Sequence, residues 1–519
     1  MVIRTNGNGQ KPHAILLYPK TGLDLGSTVA PPHALLTVAA PMLKAGYSVK
    51  LLDQRVEPII EEVLRPLISS DLLAVGISTM TGTQVYFSLM LAKMVRKLTD
   101  GKIPLVWGGC HPTVTPEQTL SHPLVDIVAI GEGDDTLRDI LDALGAHRSL
   151  STVPGIMYKD GPTPVKTLPR PMLNMEELLP VPWELVDPEK YIHRDMYLRD
   201  KARVLDLGQT SRGCPFDCAF CSSASIRERK WRPMSVEKVL DGLQSDIRRF
   251  KLDGWWWRDD EIWIQRKRMN KLCEEIVKAG IVGSFYTSGT RCDVFGRATE
   301  DEVALMKRAG AHTLKFGAES GSQRILDLMS KDITVEQTLE ANQKCKRHGI
   351  TPAFALMIGY PTETFEEINR TIDLGYRLKR ENPRAELETM AQYTPLPGTP
   401  DWHLALAHGL QPPQSLEEWA NFVFDEYDLD GKKSPWYSRQ ERRFLGNISY
   451  SSILANSLDN VVTSLRNRWV RWPAQALVKP ASKYFKWRLS SHRYRTMPEL
   501  EAVRILREKI FYKSTFVFE

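Results

Sequence analysis

Three cysteines, Cys214, Cys218 and Cys221, stand at C-x3-C-x2-C spacing in the stretch Gln209-Thr-Ser-Arg-Gly-Cys-Pro-Phe-Asp-Cys-Ala-Phe-Cys-Ser222. Three thiolates in one short loop hold three irons of a [4Fe–4S] cluster and leave the fourth iron without a protein ligand. An open iron invites a small chelating molecule. The competing chemistry is a structural zinc loop, which wants a fourth ligand at short range and usually C-x2-C pairs. No nearby His or Cys supplies one. A short, mostly apolar run, Val204 to Leu207, leads into the loop and reads as a strand.

A second set of polar and glycine residues lies at the ends of apolar runs in the first 150 residues. Runs at 13–18, 48–52, 72–77, 104–107 and 125–130 read as strands, with a helical pattern over 32–44 that stops at Gly46. Strands alternating with helices predict a parallel, doubly wound sheet, and such sheets bind ligands at the carboxyl ends of their strands. Those ends carry Asp53 and Arg55, Ser78, Thr79 and Thr81, Gly108, Gly109 and His111, and Gly131, Glu132 and Gly133. Glycine-rich turns let backbone amides approach a ligand, and hydroxyls add donors. Each glycine pair taken alone reads first as a tight turn and second as a ligand cradle.

The chain has 519 residues, a formal charge of +6 from 69 Lys and Arg against 63 Asp and Glu, and seven cysteines. That length predicts two or three domains. The charge is too mild to argue for nucleic acid. An odd, scattered cysteine set is no secreted disulfide framework. The polar start, Met1 to Pro12, is no signal peptide, and no apolar run is long enough to span a bilayer. A reduced cytoplasm suits these features.

After the cysteine loop the alternation resumes. Strands are expected at 254–257, 284–288, 312–316, 353–358 and 390–394, and helices at 236–250, 268–279 and 300–309. A further helix opens on the capping box Thr334-x-x-Gln337. With the strand before the cysteines this makes six βα repeats, a partial parallel barrel with its site at the strand carboxyl ends. The fold class is α/β: a Rossmann-like domain over 1–150, a proline-rich linker over 151–200, a (β/α)6 barrel over 201–400 and a mainly helical region over 401–519. Trp255 to Trp257 are expected to fill the barrel and its helix layer. Cys110 reads as a small buried residue.

These motifs resemble the cobalamin-dependent radical S-adenosylmethionine (SAM) family, in the branch of the class B methyltransferases and the anaerobic magnesium-protoporphyrin cyclase. The likeness rests on the cysteine triad with Arg212-Gly213 and Phe220, then Asp259-Asp260, Arg291-x-Asp293, Gly317-x-Glu319-Ser320-Gly321, Gly359-x-Pro361-x-Glu363-Thr364 and Pro395-x-Pro397-Gly398-Thr399 in order. Ahead of them, Pro31-Pro32, Ser78-x-x-Thr81, Gly108-Gly-x-His-Pro-Thr113 and Asp126-Ile-Val-x-Ile-Gly-Glu-Gly133 are similar to a cobalamin-binding domain. The Asp-x-His-x-x-Gly motif of cobalamin methyltransferases is absent; Leu51 to Glu57 stands at that loop. The resemblance implies three cofactors: a [4Fe–4S] cluster on Cys214, Cys218 and Cys221, SAM, and cobalamin. SAM would be held by Phe220, Asp259, Arg291, Glu319 and Ser320. Asp259 and Asp260 read equally as partners of Arg258 or a strand-end cap. Cobalamin would lie on the strand-end residues of the first domain, with cobalt not ligated by a His from the usual loop. His111 stays open between a ligand, a grip on the cofactor's nucleotide tail and a structural residue.

The implied reaction is C-methylation of an unactivated carbon: SAM cleaves to methionine and a 5′-deoxyadenosyl radical, the radical removes hydrogen, and cobalamin delivers methyl. The alternative within the branch is cyclisation, rearrangement or oxygen insertion on a tetrapyrrole or lipid. A cobalamin sensor is the non-enzymatic alternative. The resemblance implies a flavodoxin- or ferredoxin-type electron donor and a small-molecule or lipid-like substrate. No general base or proton donor is marked. Beyond Asp459, Arg466, Arg468, Arg471, Lys479, Lys483, Lys486, Arg488, Arg493 and Arg495 interleave with Trp469, Trp472, Tyr484, Phe485, Trp487 and Tyr494. Such a mixture suits a helical lid packed on the barrel, peripheral contact with a membrane or, least, nucleic acid.

Overall fold

The computed structural model describes residues 11–22, 29–193, 197–422, 433–457, 462 and 468–502. The chain forms two compact units. One runs to Tyr191 and takes back a later segment beginning at Pro413; the other begins at Ile192 and resumes at Tyr427. The first division therefore falls well beyond residue 150, and the first unit is discontinuous in sequence.

The first unit is built on a seven-stranded sheet. Its strands are β1 (Ala14–Tyr18), β2 (Val49–Asp53), β3 (Ala74–Ser78), β4 (Leu105–Gly108), β5 (Ile127–Ala129), β6 (Ile156–Asp160) and β7 (Thr163–Lys166), in the spatial order β2-β1-β3-β4-β5-β6-β7. The first five pair in parallel; β6 and β7 are antiparallel additions at the edge. Gly161 and Pro162 form the tip of the β6–β7 hairpin, so part of the expected linker belongs to the sheet. β7 was not foreseen because its side chains, Thr-Pro-Val-Lys, are mostly exposed and carry no apolar alternation. The central strands are apolar throughout and buried, as a sheet covered on both faces requires. The helix His33–Lys44 supplies Leu35, Leu36, Ala39 and Met42 to one face of that core.

The second unit holds the six parallel strands of the half-barrel: β8 (Val204–Asp206), β11 (Gly254–Trp257), β12 (Ser284–Thr290), β13 (Ala311–Glu319), β14 (Thr351–Ile358) and β15 (Glu386–Gln392), in sequential order. A two-residue ribbon, β9 (Ser211–Arg212) with β10 (Arg232–Pro233), sits on the cysteine loop. Among the described residues capping boxes start four of this unit's helices, at Thr299/Glu302, Thr334/Gln337, Thr364/Glu367 and Ser438/Glu441. Trp255 and Trp257 are core residues, while Trp256 stacks on Tyr286 at 4.8 Å. Two differences from the expected pattern concern short elements. β15 lies four residues earlier than expected because its polar residues Glu386 and Glu388 alternate with Leu387. The five- and six-residue helices Cys292–Gly296 and Gln323–Leu328 are too brief to leave a period in sequence. In the C-terminal region the helix Leu416–Ala420 packs in the first unit, and the helix Arg468–Ser490 in the second. Arg466 lies outside the described residues.

Candidate functional site

The cysteine loop leaves β8 through Gly208 and is fixed from beneath by the carboxyl end of β11. Asp259 is buried and accepts from the Thr210 amide and hydroxyl (3.1 and 3.0 Å) and from the Ser211 hydroxyl (2.5 Å). Asp260 accepts from the Gly213 amide at 2.9 Å. The Trp231 indole donates to Ser211 Oγ at 3.1 Å and to the Glu261 carbonyl at 2.9 Å. Gly213 has φ +87°, and a Cβ there would stand 2.1 Å from the Lys230 carbonyl oxygen. Only glycine lets the chain pass that carbonyl. Further along, the Ala219 amide donates to the Met329 carbonyl (2.8 Å) and the Asp401 amide to the Ala219 carbonyl (3.1 Å). The loop is thus tied on both sides of Cys218.

Two cations stand beside the thiols. Arg291, at the end of β12, points Nη1 to Cys218 Sγ at 3.4 Å, and its guanidinium lies 3.7 Å from the Phe216 ring centre. Its Nε pairs with Asp293 at 2.9 Å and its Nη2 donates to the Lys331 carbonyl. Its backbone amide donates to Glu261 at 2.7 Å, and burial raises the Glu261 carboxyl to about 8. Lys331 is buried; its Nζ pairs with Glu319 Oε1 at 2.9 Å and lies 5.6 Å from the Phe220 ring centre. Burial alone would lower the Lys331 ammonium, but Glu319 and Cys218 outweigh it and keep the cation. Gly317 leaves room for the pair, since a Cβ there would meet Glu319 Oε1 at 2.5 Å and Lys331 Nζ at 2.8 Å.

This chemistry fits an iron–sulfur cluster. Burial pushes the Cys214 thiol up to about 12 and raises Cys221 as well. Bare thiolates are disfavoured here, so their ionisation wants bound metal. Among the described residues no three His, Cys, Asp or Glu side chains converge on one metal-ion position.

The structure redistributes the residues expected around SAM. Phe220 and Glu319 lie together with Lys331 beside the cysteines. Asp259 has its oxygens filled by the loop, so it is an anchor. Arg258 pairs with Asp206 at 2.6 Å, leaving the strand-end cap as the reading for Asp259 and Asp260. Arg291 is engaged by Asp293, Lys331 and Cys218, not open for a bidentate carboxylate. Ser320 is buried, with Thr371 Oγ1 at 3.2 Å and the Ser322 amide at 3.1 Å, which makes it a turn brace. The sequence reading passed over Lys331. Its signal is a lone lysine in Met329-Ser-Lys-Asp, which only the fold brings to Glu319. Asp401 was also missed: its carboxylate accepts from the Tyr360 hydroxyl at 2.7 Å, behind the loop.

In the first unit the expected strand-end residues gather on the carboxyl edge of the sheet. Ser78 ends β3 with Thr79 just beyond it, Gly108 ends β4, and Gly131, Glu132 and Gly133 follow β5. Thr81, Gly108 and Gly131 to Gly133 are half-buried, and nothing lies within 4 Å of where a Gly131 Cβ would stand. Thr79 faces inward, with Ser88 Oγ at 2.8 Å, and Gly109 (φ +100°) packs on the Thr79 backbone. The half-buried, small and hydroxyl-bearing edge fits a large flat cofactor held by backbone. Asp53 and Arg55 are engaged internally. Their charges pair at 2.7 Å, Tyr191 donates to Asp53 at 2.9 Å, and the guanidinium covers the Tyr18 ring at 4.1 Å. They brace the turn after β2.

His111 is fully buried. Its Nδ1 is 3.1 Å from Thr81 Oγ1, its Nε2 is 3.3 Å from Thr115 Oγ1, and the Trp419 ring meets it at 5.2 Å. Burial lowers it to about 3, so it is a neutral imidazole, with a threonine hydroxyl beside each ring nitrogen. Trp419 arrives from the returning segment and donates its indole N–H to Gln118 at 2.5 Å, while His122 pairs with Glu417 at 3.1 Å. Cys110 is exposed, contrary to the expectation that it is buried, because it opens the short helix Cys110–Val114 at the surface.

Known families match parts of both units of the chain. Residues 209–375 match the Radical SAM superfamily and residues 26–141 match the B12 binding domain. An uncharacterized methyltransferase of Pyrococcus horikoshii is 32% identical over 388 residues, 74% of this chain and 80% of the relative. The hopanoid C-3 methylase of Methylococcus capsulatus is 28% identical, over 75% of this chain and 70% of that protein. The anaerobic magnesium-protoporphyrin IX monomethyl ester cyclase of Rubrivivax gelatinosus is 28% identical, over 70% of this chain and 65% of that protein. The solved structure of the cobalamin-dependent S-adenosylmethionine radical enzyme OxsB, with aqua-cobalamin and S-adenosylmethionine bound, shares the fold. It gives a TM-score of 0.72 at 18% identity, covering 98% of this chain and 76% of that one. On these matches, and with the cysteine loop and the sheet edge that each requires, the chain belongs to the cobalamin-dependent radical SAM enzymes, whose cofactors are a [4Fe–4S] cluster, SAM and cobalamin.

Proposed function

We propose that this enzyme methylates an unactivated carbon of a small-molecule or lipid-like substrate. The observation that carries the reading is the likeness, over three quarters of the chain, to proteins named as methyltransferase or methylase. When bound, the cluster and SAM supply a 5′-deoxyadenosyl radical and cobalamin supplies the methyl group. The chain's own residues hold and orient these groups. Cys214, Cys218 and Cys221 take three irons; Arg291 stands beside Cys218, while Lys331 with Glu319 and Phe220 faces SAM. Asp259 and Asp260 fix the loop from below. Ser78, Thr79, Thr81, Gly108, Gly109, Gly131, Glu132 and Gly133 form the cobalamin edge, backed by Asp53, Arg55 and the neutral His111. A flavodoxin- or ferredoxin-type protein delivers the electron. The enzyme works in the cytoplasm, peripheral to the membrane.

A second reading is radical cyclisation or oxygen insertion on a tetrapyrrole, favoured by the likeness to the cyclase. A cobalamin sensor would have no use for a three-cysteine loop pinned on both sides. Anaerobic incubation of the reconstituted enzyme with SAM, dithionite and candidate substrates tests the reading. Release of 5′-deoxyadenosine with a product heavier by one CH2 supports methylation, and an unmethylated rearranged product supports the second reading. No 5′-deoxyadenosine with any candidate overturns both.

A further inference from the structure

The helix Arg468–Ser490 is amphipathic in an unusual sense. One face is core: Ser482, Phe485 and Leu489 are buried, and Ser482 donates to the Ala455 carbonyl at 2.7 Å. The opposite face carries Trp472, Ala476, Lys479, Pro480, Lys483, Tyr484 and Trp487, all exposed and recurring at helical spacing. Trp472 is 80% exposed, Trp487 47% and Tyr484 41%. Among the Phe, Tyr and Trp side chains whose exposure is described, these three are the exposed ones, and all lie on this one helix face. Tryptophan is ordinarily among the well-buried residues, so three aromatics exposed together mark a surface with an occupant.

The charge on the helix is of one sign. Residues 468–490 contain Arg468, Arg471, Lys479, Lys483, Lys486 and Arg488 and no Asp or Glu. Exposed Arg493, just beyond the helix, lies 5.0 Å from the Trp487 ring centre. Glu499 is the acid nearby, accepting from the Tyr484 hydroxyl at 3.0 Å and standing 3.6 Å from Arg488. No helix among the described residues is long and apolar enough to cross a membrane. Tryptophan and tyrosine rings with lysines between them suit the headgroup layer of a bilayer, where the rings lie at the interface and the cations meet anionic lipid. A protein partner would also favour Trp and Tyr, but lysine is depleted at protein interfaces, and this face has Lys479 and Lys483 at its centre. We propose that this face docks the enzyme on an anionic lipid bilayer, with Trp472, Tyr484 and Trp487 inserted to the headgroup level and Lys479, Lys483 and Arg493 against the lipid phosphates.

The proposal deepens the peripheral location given above and is independent of the chemistry, so radical formation and membrane docking fail separately. The full-length holoenzyme is mixed with vesicles of phosphatidylcholine alone or of phosphatidylcholine with phosphatidylglycerol, and sedimented. Binding is expected to the anionic vesicles, weakened by salt, and much less to the neutral ones. Two variants alter only exposed side chains: Trp472→Ser with Trp487→Ser, and Lys479→Gln with Lys483→Gln. Each pair should lower partitioning by about tenfold or more, with 5′-deoxyadenosine formation in solution unchanged. No binding of the native enzyme to anionic vesicles overturns the proposal, as does binding that both double variants retain. An oligonucleotide that binds through the same residues, with no vesicle binding, would assign the face to nucleic acid and overturns it as well.

Discussion

Gly213→Ala should strip the enzyme of its cluster. Two costs act together at this position. The φ of +87° lies in the left-handed region, which costs a residue with a Cβ about 1–2 kcal/mol. The added methyl would also stand 2.1 Å from the Lys230 carbonyl oxygen, where contacts under 3.0 Å essentially never occur, so one of the two backbones must yield by about 0.9 Å. Backbone shifts of that kind cost about 1–3 kcal/mol, giving about 2–5 kcal/mol in all. The strain falls on the residue before Cys214, whose own amide is the one held by Asp260 at 2.9 Å. Gly280→Ala is the matched control: its φ is +64°, and nothing lies within 4 Å of its Cβ position. It should lower stability by the backbone term alone and leave iron content unchanged. Both variants are reconstituted anaerobically, and iron, sulfide and the visible absorbance per chain are compared with thermal unfolding. Should Gly213→Ala bind iron fully and unfold no earlier than Gly280→Ala, the close passage past Lys230 is not what positions the cysteines.

Cys218→Ala should abolish both the iron–sulfur absorbance and reductive SAM cleavage, read as 5′-deoxyadenosine by chromatography. Lys331→Met leaves Glu319 without its partner at 13% exposure; breaking such a pair costs about 3–5 kcal/mol. Weaker SAM binding should accompany the loss, and Lys331→Arg should recover part of both in calorimetry. The buried, neutral His111 makes the first unit acid-sensitive: its folded pKa, about 3, lies below the unfolded value near 6.5. The stability is therefore complete above about pH 6.5 and falls as pH drops toward 3; by pH 5 the loss is about 2 kcal/mol. Thermal unfolding of His111→Asn from pH 7.5 to pH 5 should show a shallower loss than the native protein, and equal slopes would refute the assignment.

The sequence alone determined the two-part architecture, because strands buried on both faces must be apolar and helices facing a core must repeat at 3.6 residues. It also singled out the candidate cluster ligands, because spacing within one loop survives any arrangement of the rest. The strand-end residues of both sheets were legible for the same local reason: a residue's place at a strand's carboxyl end follows from where its apolar run stops. What those residues do was decided only by tertiary structure. Asp259 and Arg291 look open in sequence, yet Thr210, Ser211, Asp293 and the Lys331 carbonyl fill their hydrogen-bonding groups. Lys331 and Glu319 are twelve residues apart and meet only because the helix Gln323–Leu328 turns the chain back after β13. Trp419, some 300 residues from His111, packs its ring against that imidazole and helps bury it. The basic, aromatic tail gave composition without direction. Which of its rings are buried and which face outward depends on the side of the helix that packs, and that is set by partners distant in the chain.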